Sequence, residues 1–161
     1  MNNDKYLHIY LTDHLAGSVV GIELARRCAG SNEGSDVAHF LRSEAIPEIE
    51  EDRETLKRII QLVGGSTGSW KLGAAWMGEK LGRLKLNGEL TSYSPLSRLV
   101  ELEGLTSGVA AKLSLWQCLR ETRDPRLESI DFDALVARAQ QQLEGIEVHR
   151  LAAAATALQS S

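Results

Sequence analysis

The amino-acid sequence predicts an all-α protein, in which four long helices form a bundle and a shorter helix lies in one of the connections. Leu, Ala, Glu and Arg are abundant, only three prolines occur, and runs of β-branched residues are almost absent, so the composition favours helices over strands. Turn-forming residues are concentrated in four stretches, separated by segments of about 25 residues. Within these segments apolar residues recur at spacings of three and four, which places them on one helix face.

The turn stretches define the predicted elements in order. They are AGSNEGSD at 29–36, GGSTGS at 64–69, LNGELTSYSP at 86–95 and RDPRLESID at 123–131. We therefore predict five helices, at residues 4–29, 36–63, 69–85, 95–121 and 131–158. Ser35 or Asp36 can cap the second helix, Ser94 precedes Pro95 at the start of the fourth, and Asp131 can cap the last.

The connection from Gly64 to Tyr93 is long enough to run the length of the bundle. It contains the helical segment WKLGAAWMGEKLGRLKL. Each long helix would span roughly 40 Å, at a rise of about 1.5 Å per residue. A crossover of this kind makes the helices before and after it parallel. The 161 residues fit a single domain, covering 1–161, with a core of its own.

Charge and hydropathy argue against several classes of function. The net charge of -4 and the pI near 5.6 leave no basic stripe, so we expect no binding to nucleic acid or to an anionic membrane. The N-terminal residues do not resemble a signal peptide, and no apolar stretch reaches the ~18 residues of a membrane span, which predicts a cytoplasmic protein. Cys28 and Cys118 stand apart, outside any CxxC spacing, and are predicted to be buried free thiols.

Polar residues interrupt the apolar faces of the long helices. The face of the second helix consists of Leu41, Ala45, Ile49, Asp52, Leu56, Ile59 and Val63. On the other helices the interrupting residues include His14, Ser18, Glu103, Thr106 and Arg150. Counting from the helix midpoints places Asp52, Glu103 and Arg150 near one level, with Glu48 and Glu147 close by. The sequence therefore predicts a buried polar layer across the middle of the bundle, made of His14, Asp52, Glu103 and Arg150.

Acidic residues also occur at spacings that are compatible with a metal site. They lie in the strings GIEL, EIEEDRE, ELEG and EGIE, as Glu23, Glu48, Glu51, Glu54, Glu103, Glu144 and Glu147. With these strings on long helices, most of the chain resembles the ferritin-like superfamily, and within it the small bacterial proteins of the YciE/YciF type. The resemblance implies a ferritin-like four-helix bundle with a helical crossover, and association into a homodimer or a larger oligomer.

The acidic strings match the superfamily's di-iron site only in part. That site takes one Glu from each of two helices and a Glu-x-x-His pair from each of the other two. The resemblance carries the metal-ligand role to Glu23, Glu48, Glu51, Glu103, Glu144 and Glu147. Where the pairs need His, however, this sequence has Glu54 and Glu147, so the site is degenerate.

Three functions follow from these observations. The favoured one is a non-catalytic bundle with a structural or stress-related role through self-association, in which Asp52 and Glu103 neutralise Arg150. The second is an oxidoreductase-like protein with an all-carboxylate site for iron or manganese, because hard oxygen ligands suit these ions. The third is a small-molecule binder whose pocket is lined by Trp70, Trp76 and Trp116, although these side chains also suit docking of the crossover helix.

Overall fold

A computed structural model describes residues 3–66, 75, 79 and 92–159 of the chain. This part is helical, with four long helical segments and no strand, so the predicted all-α class is confirmed. The elements are α1 (Asn3–Ser31), α2 (Asp36–Phe40), a π-helical turn (Leu41–Ala45), α3 (Ile46–Leu62), α4 (Pro95–Thr122), a 3₁₀ turn (Pro125–Leu127) and α5 (Phe132–Leu158). The crossover helix predicted at 69–85 lies almost wholly outside the described residues. Among the described helices none has an apolar stretch that would cross a membrane.

The helix starts follow the predicted capping residues. The side chain of Ser35 accepts a hydrogen bond from the N–H of Ala38, and that of Asp131 accepts one from Ala134. Ser94 forms a reciprocal capping box with Ser97, directly ahead of Pro95 in the first turn of α4. These side chains satisfy N–H groups that have no partner within their own helix.

Pro47 explains the π-helical turn ahead of α3. Proline has no N–H to donate to the carbonyl four residues earlier, and its ring clashes with that carbonyl in a regular α-helix. In the turn, the N–H of Ile46 bonds to the carbonyl of Leu41, five residues earlier. This wider turn lets α2 and α3 continue as one helical segment that buries both Leu41 and Ala45.

Hydrogen bonds between helices give their directions. His8 contacts the carbonyl oxygen of Val63 near one end of α1, and Arg26 bonds to Glu50 near the other, so α1 and α3 are antiparallel. Further pairs are Glu48 with Gln142 and Asp52 with Arg138 between α3 and α5, and Lys112 with Gln142 and Arg120 with Asp133 between α4 and α5. Both α3 and α4 therefore run antiparallel to α5 and parallel to each other, as the predicted crossover requires.

The core lies between these helices, and its α3 side was predicted correctly. Every residue of the predicted face is buried: Leu41, Ala45, Ile49, Asp52, Leu56, Ile59 and Val63. Helices α4 and α5 form the most extensive pair, and α1 packs against both α3 and α4. Segment 36–62 thus presents a continuous apolar stripe to the bundle, interrupted only at Asp52.

The buried face of α4 differs from the predicted one. Its apolar members are Leu99, Leu102, Leu105, Val109, Leu115, Trp116 and Leu119. The predicted face through Glu103 and Thr106 lies one residue further along, which corresponds to a rotation of about 100° about the helix axis. Glu103 is consequently exposed. The rotation brings Lys112, which follows Val109 by three residues, to the interior side of α4.

Candidate functional site

Asp52 is the centre of a buried hydrogen-bonded cluster at mid-bundle. The residue is 2% exposed. Its Oδ2 atom accepts a hydrogen bond of 2.5 Å from Nζ of Lys112, and its Oδ1 atom accepts one of 2.6 Å from Nη2 of Arg138. Lys112 also donates to Gln142, whose amide nitrogen donates to Glu48 at 2.8 Å. These five residues, one or two from each of α3, α4 and α5, form what we call the Asp52 network.

The electrostatics of the Asp52 network explain its composition. Burial lowers the pKa of Lys112, because water no longer solvates the ammonium, and the neighbouring Asp52 carboxylate acts in the opposite direction. A buried carboxylate without a partner is costly, whereas here each oxygen of Asp52 faces a cation. The side-chain oxygen of Gln142 accepts a further hydrogen bond from the Lys112 ammonium. The network is therefore a neutralised ion cluster.

The predicted partner of Asp52 was wrong. Arg150 donates from Nε and Nη2 to Glu147, each over 2.7 Å, and its Nη1 atom is 3.9 Å from Glu103. The prediction assumed that the midpoints of the helices lie opposite one another. In the structure Glu48 of α3 lies opposite Gln142 of α5, which places Arg138 opposite Asp52. Arg150 is three helical turns further along α5.

The predicted polar layer is accordingly assembled only in part. Asp52 is buried, His14 and Arg150 are partly buried, and Glu103 is exposed. The His14 ring packs edge-on against Tyr10, with the ring centroids 4.7 Å apart. Burial lowers the pKa of His14, while nearby Asp13 raises it, so the net effect favours the neutral imidazole.

The six predicted metal ligands are not brought together. Glu23 pairs with Arg26, Glu48 accepts from Gln142, Glu51 pairs with Arg138, Glu103 and Glu147 face Arg150, and Glu144 is exposed. Within the described residues, no three His, Cys, Asp or Glu side chains converge as a metal site requires. The donor set does not fit a di-metal centre, because its carboxylates face guanidinium or amide groups instead of one another.

A second buried polar cluster escaped the sequence analysis. Glu101, on α4, accepts hydrogen bonds from Nε of Arg27 at 2.7 Å and from the hydroxyl of Tyr93 at 2.8 Å. That hydroxyl accepts from Asn32 at 2.7 Å, and Asn32 accepts from Arg98. Both Glu101 and Asn32 are buried. The cluster ties the end of α1 to the start of α4.

The two cysteines differ in their environments. Cys28 is buried beside this second cluster, and burial together with the Glu101 charge raises the pKa of its thiol to about 12. Cys118 is exposed, so the prediction of two buried thiols holds for Cys28 alone. Cys118 follows the buried Trp116 by two residues, about 200° around the helix axis, which places it on the outer side of α4.

A cavity of about 740 Å³ lies between α1, α3 and α4, beside the Asp52 network. Its walls are mainly apolar, and Tyr10, His14 and Trp116 contribute to them. Asp52 and Lys112 are also part of the lining. Trp116 lines this cavity, whereas Trp70 and Trp76 lie outside the described residues. The small-molecule pocket lined by all three tryptophans therefore stays a prediction.

The members of the Asp52 network other than Asp52 and Glu48 were missed by sequence reasoning. A signal was present, since Leu135, Arg138, Gln142 and Ile146 are spaced by three and four on one face of α5. Lys112 similarly lies between Val109 and Trp116 at spacings of three and four. Charged residues at such positions identify a buried network only when the shift of each helix along its neighbours is known.

Compared with known proteins, the chain matches no protein-family model, no curated protein and no solved structure.

Proposed function

We propose that the protein is a non-catalytic bundle of the ferritin-like type, in which an ion cluster takes the place of the di-metal centre. The observation that carries the proposal is the pairing of the two Asp52 oxygens with Lys112 and Arg138, over 2.5 and 2.6 Å. The parallel direction of α3 and α4 on either side of a long connection supports the ferritin-like part of the proposal.

Charge at the centre of the bundle favours this function over the carboxylate-rich metalloprotein. A dication at mid-bundle would lie close to the Lys112 ammonium and the Arg138 guanidinium, which repel it strongly in a partly buried site. Both oxygens of Asp52 are already occupied by hydrogen bonds. The layer that would hold metal is instead satisfied by the chain's own cations, so its contribution is to the stability and specificity of the fold.

Elemental analysis of protein purified from cells grown with iron and manganese tests this proposal, together with melting temperatures with and without chelator. We expect fewer than ~0.1 metal ions per chain and an unchanged melting temperature. About one or two ions per chain with a chelator-sensitive melting temperature would overturn it in favour of the metalloprotein. In that case Glu48→Gln, which keeps the side-chain shape, would reduce metal content.

We further propose that the protein acts through association with a second copy along α5. Val148, Leu151 and Leu158 are 67%, 54% and 68% exposed, and their spacing of three and seven forms one stripe on that helix. Such a stripe matches its own copy across a twofold axis, as the core positions of paired helices do. Three side chains cover much less than the ~800 Å² per partner of a standard interface, so the expected dimer is weak and depends on concentration.

Light scattering over a concentration series measures this association. Replacing Val148 and Leu151 by Glu is expected to remove the dimer, since two like charges would face their copies across the axis. Ile9→Glu is the matched control, because Ile9 is an exposed apolar residue of α1 that lies outside the stripe. A protein that stays monomeric at millimolar concentration contradicts the proposal. The predicted cytoplasmic location stays a prediction.

A further inference from the structure

We propose that the cavity between α1, α3 and α4 is a binding site for a small, largely apolar molecule that carries an acceptor oxygen, such as a carboxylate. This site goes beyond the proposed role as a non-catalytic bundle, which does not depend on it. The cavity volume of about 740 Å³ lies within the range of roughly 300–1,000 Å³ typical of ligand pockets.

Glycines on two facing helices contribute to the cavity wall. Gly17 and Gly21 of α1 and Gly104 and Gly108 of α4 all belong to the lining. At Gly21 and at Gly108 an added Cβ atom would have no heavy atom of the described residues within 4 Å. Glycine is unfavourable inside a helix, and alanine would fit at both positions without a clash. The sequence therefore keeps a space that two methyl groups could begin to fill.

Gly104 has a different role from the other glycines in the lining. A Cβ atom at Gly104 would lie 2.9 Å from Cδ2 of Leu24, so this glycine permits close approach of α1 and α4. Helices α1 and α4 are therefore in contact at Gly104, whereas Gly21 and Gly108 leave open space next to that contact. The cavity is thus bounded by a packed contact.

Two buried N–H groups on the cavity lining have no acceptor among the described residues. Trp116 is 1% exposed and lines the cavity, and its Nε1 atom has no hydrogen-bond partner there. The same holds for Nε of Arg53, whose closest carboxylate oxygen, on Glu54, is 3.7 Å away. Buried indole and guanidinium N–H groups nearly always find an acceptor. An acceptor oxygen brought in by a ligand would satisfy them.

The remaining lining defines the rest of the ligand. Leu24, Ile49, Leu56, Leu105 and Val109 present aliphatic surface to the cavity, which favours a hydrocarbon body. Asp52 and Lys112 already neutralise each other, so neither is left to demand a partner. The unpaired donors are therefore the groups that select the polar end of the molecule, and the positive charge of Arg53 favours a carboxylate there over an ammonium.

Calorimetric titration of the full chain with dodecanoate and with dodecylammonium tests the site, because the two probes share a hydrocarbon chain and differ in the polar end. We expect dodecanoate to bind in the micromolar range, and dodecylammonium to bind about tenfold more weakly or worse. No dodecanoate binding up to about 1 mM overturns the proposal, and equal binding of the two probes overturns its acceptor requirement.

Glycine replacement separates the cavity from the rest of the surface. Gly108→Leu places a side chain in the empty volume and is expected to weaken dodecanoate binding by about tenfold or more, with the melting temperature unchanged or higher. Gly30→Leu is the matched control, because Gly30 is likewise a helical glycine with open space around its Cβ position, but it lies in α1 outside the cavity lining. Wild-type affinity in Gly108→Leu, or equal losses in both variants, overturns the assignment.

Trp116→Phe tests the indole N–H while keeping an aromatic ring in place. The ratio of dodecanoate to dodecylammonium affinity is expected to fall by about threefold or more, since only the carboxylate uses that donor. A purely structural role would weaken both probes alike and leave the ratio unchanged, which would overturn the role of Trp116. Failure of these tests leaves the metal analysis of the Asp52 layer unaffected, so the two proposals fail separately.

Discussion

Nζ of Lys112 lies 2.5 Å from Oδ2 of Asp52, in a contact between a fully buried carboxylate on α3 and a partly buried ammonium on α4. This pair joins two parallel helices that the chain connects only through a long crossover. Arg138 reaches the second oxygen of the same carboxylate from α5, so one acidic residue links three helices. The contribution of Asp52 to stability therefore depends on both cations, Lys112 and Arg138.

Asp52→Ala is expected to destabilise the protein by about 3–5 kcal/mol, because it leaves the partly buried Lys112 ammonium and Arg138 guanidinium without their shared counter-ion. Urea unfolding followed by circular dichroism measures the free energy of unfolding. The control is Arg150→Ala, which removes the more exposed ion pair with Glu147 and is expected to have little effect on the free energy of unfolding. If the two variants are equally stable, the Asp52 network is not the main electrostatic support of the fold.

Stability is expected to fall on acidification partly through His14. Because burial lowers the pKa of His14 below its ordinary value of about 6.5, protonation favours the unfolded chain. This contribution to stability is complete above pH ~6.5 and is lost as the pH falls through the lowered pKa of the folded state. His14→Gln should therefore lose less free energy of unfolding between pH 7.5 and 5 than the wild type. Parallel curves would contradict this, and the exposed His39 provides the control substitution.

Alkylation should distinguish the two cysteines. Iodoacetamide at pH 8 is expected to modify the exposed Cys118, whereas Cys28 stays unmodified because its thiol is buried and its pKa is raised to about 12. Intact-mass measurement should give one adduct on the native protein and two in urea. Two adducts at comparable rates under native conditions would mean that the end of α1 opens readily.

Gly145 is expected to be essential for the packing of α5 against α2. A Cβ atom at Gly145 would lie 2.6 Å from Cε2 of Phe40, whose ring also packs against His149 with centroids 4.9 Å apart. Gly145→Val should therefore cost about 1–3 kcal/mol of unfolding free energy, and adding Phe40→Leu should recover part of it. Strictly additive effects of the two substitutions would contradict this account.

The buried face of a helix was predicted correctly where its apolar residues follow a clear helical spacing. In segment 36–62, charged and apolar residues alternate with clear helical spacing, and every residue of the predicted face, Asp52 included, is buried. The buried residues Val37, Ala38 and Ile60 were not part of that prediction. Helix α4 contains many small residues, among them Gly104, Ser107 and Gly108, and its leucines are not confined to one face, since Leu96 and Leu113 lie beside the buried stripe. The wrong face was chosen there, and Lys112 was missed as a result.

The partners of Asp52 needed information that spacing within a helix does not contain. Whether Arg138 or Arg150 meets Asp52 depends on how far α5 is shifted along α3, and both residues lie on the inner side of their helix. That shift is set by packing between helices and by the turn at Pro125–Leu127. Local patterns therefore identified a buried acid, while its neutralising groups required the tertiary structure.

The π-helical turn at Leu41–Ala45 makes this point of the chain tolerant of a change in length. Because one hydrogen bond there spans five residues, the turn holds one residue more than regular helix needs between the same two faces. Removing one residue from an ordinary helix rotates everything beyond it by about 100°. Pro47→Ala restores the backbone N–H that a regular α-helix needs at position 47. With that substitution in place, deletion of one residue from the turn is expected to leave Val37 and Ile49 facing the core. Deletion of one residue at this site is therefore expected to alter the pitch of one turn and to preserve the register of the bundle.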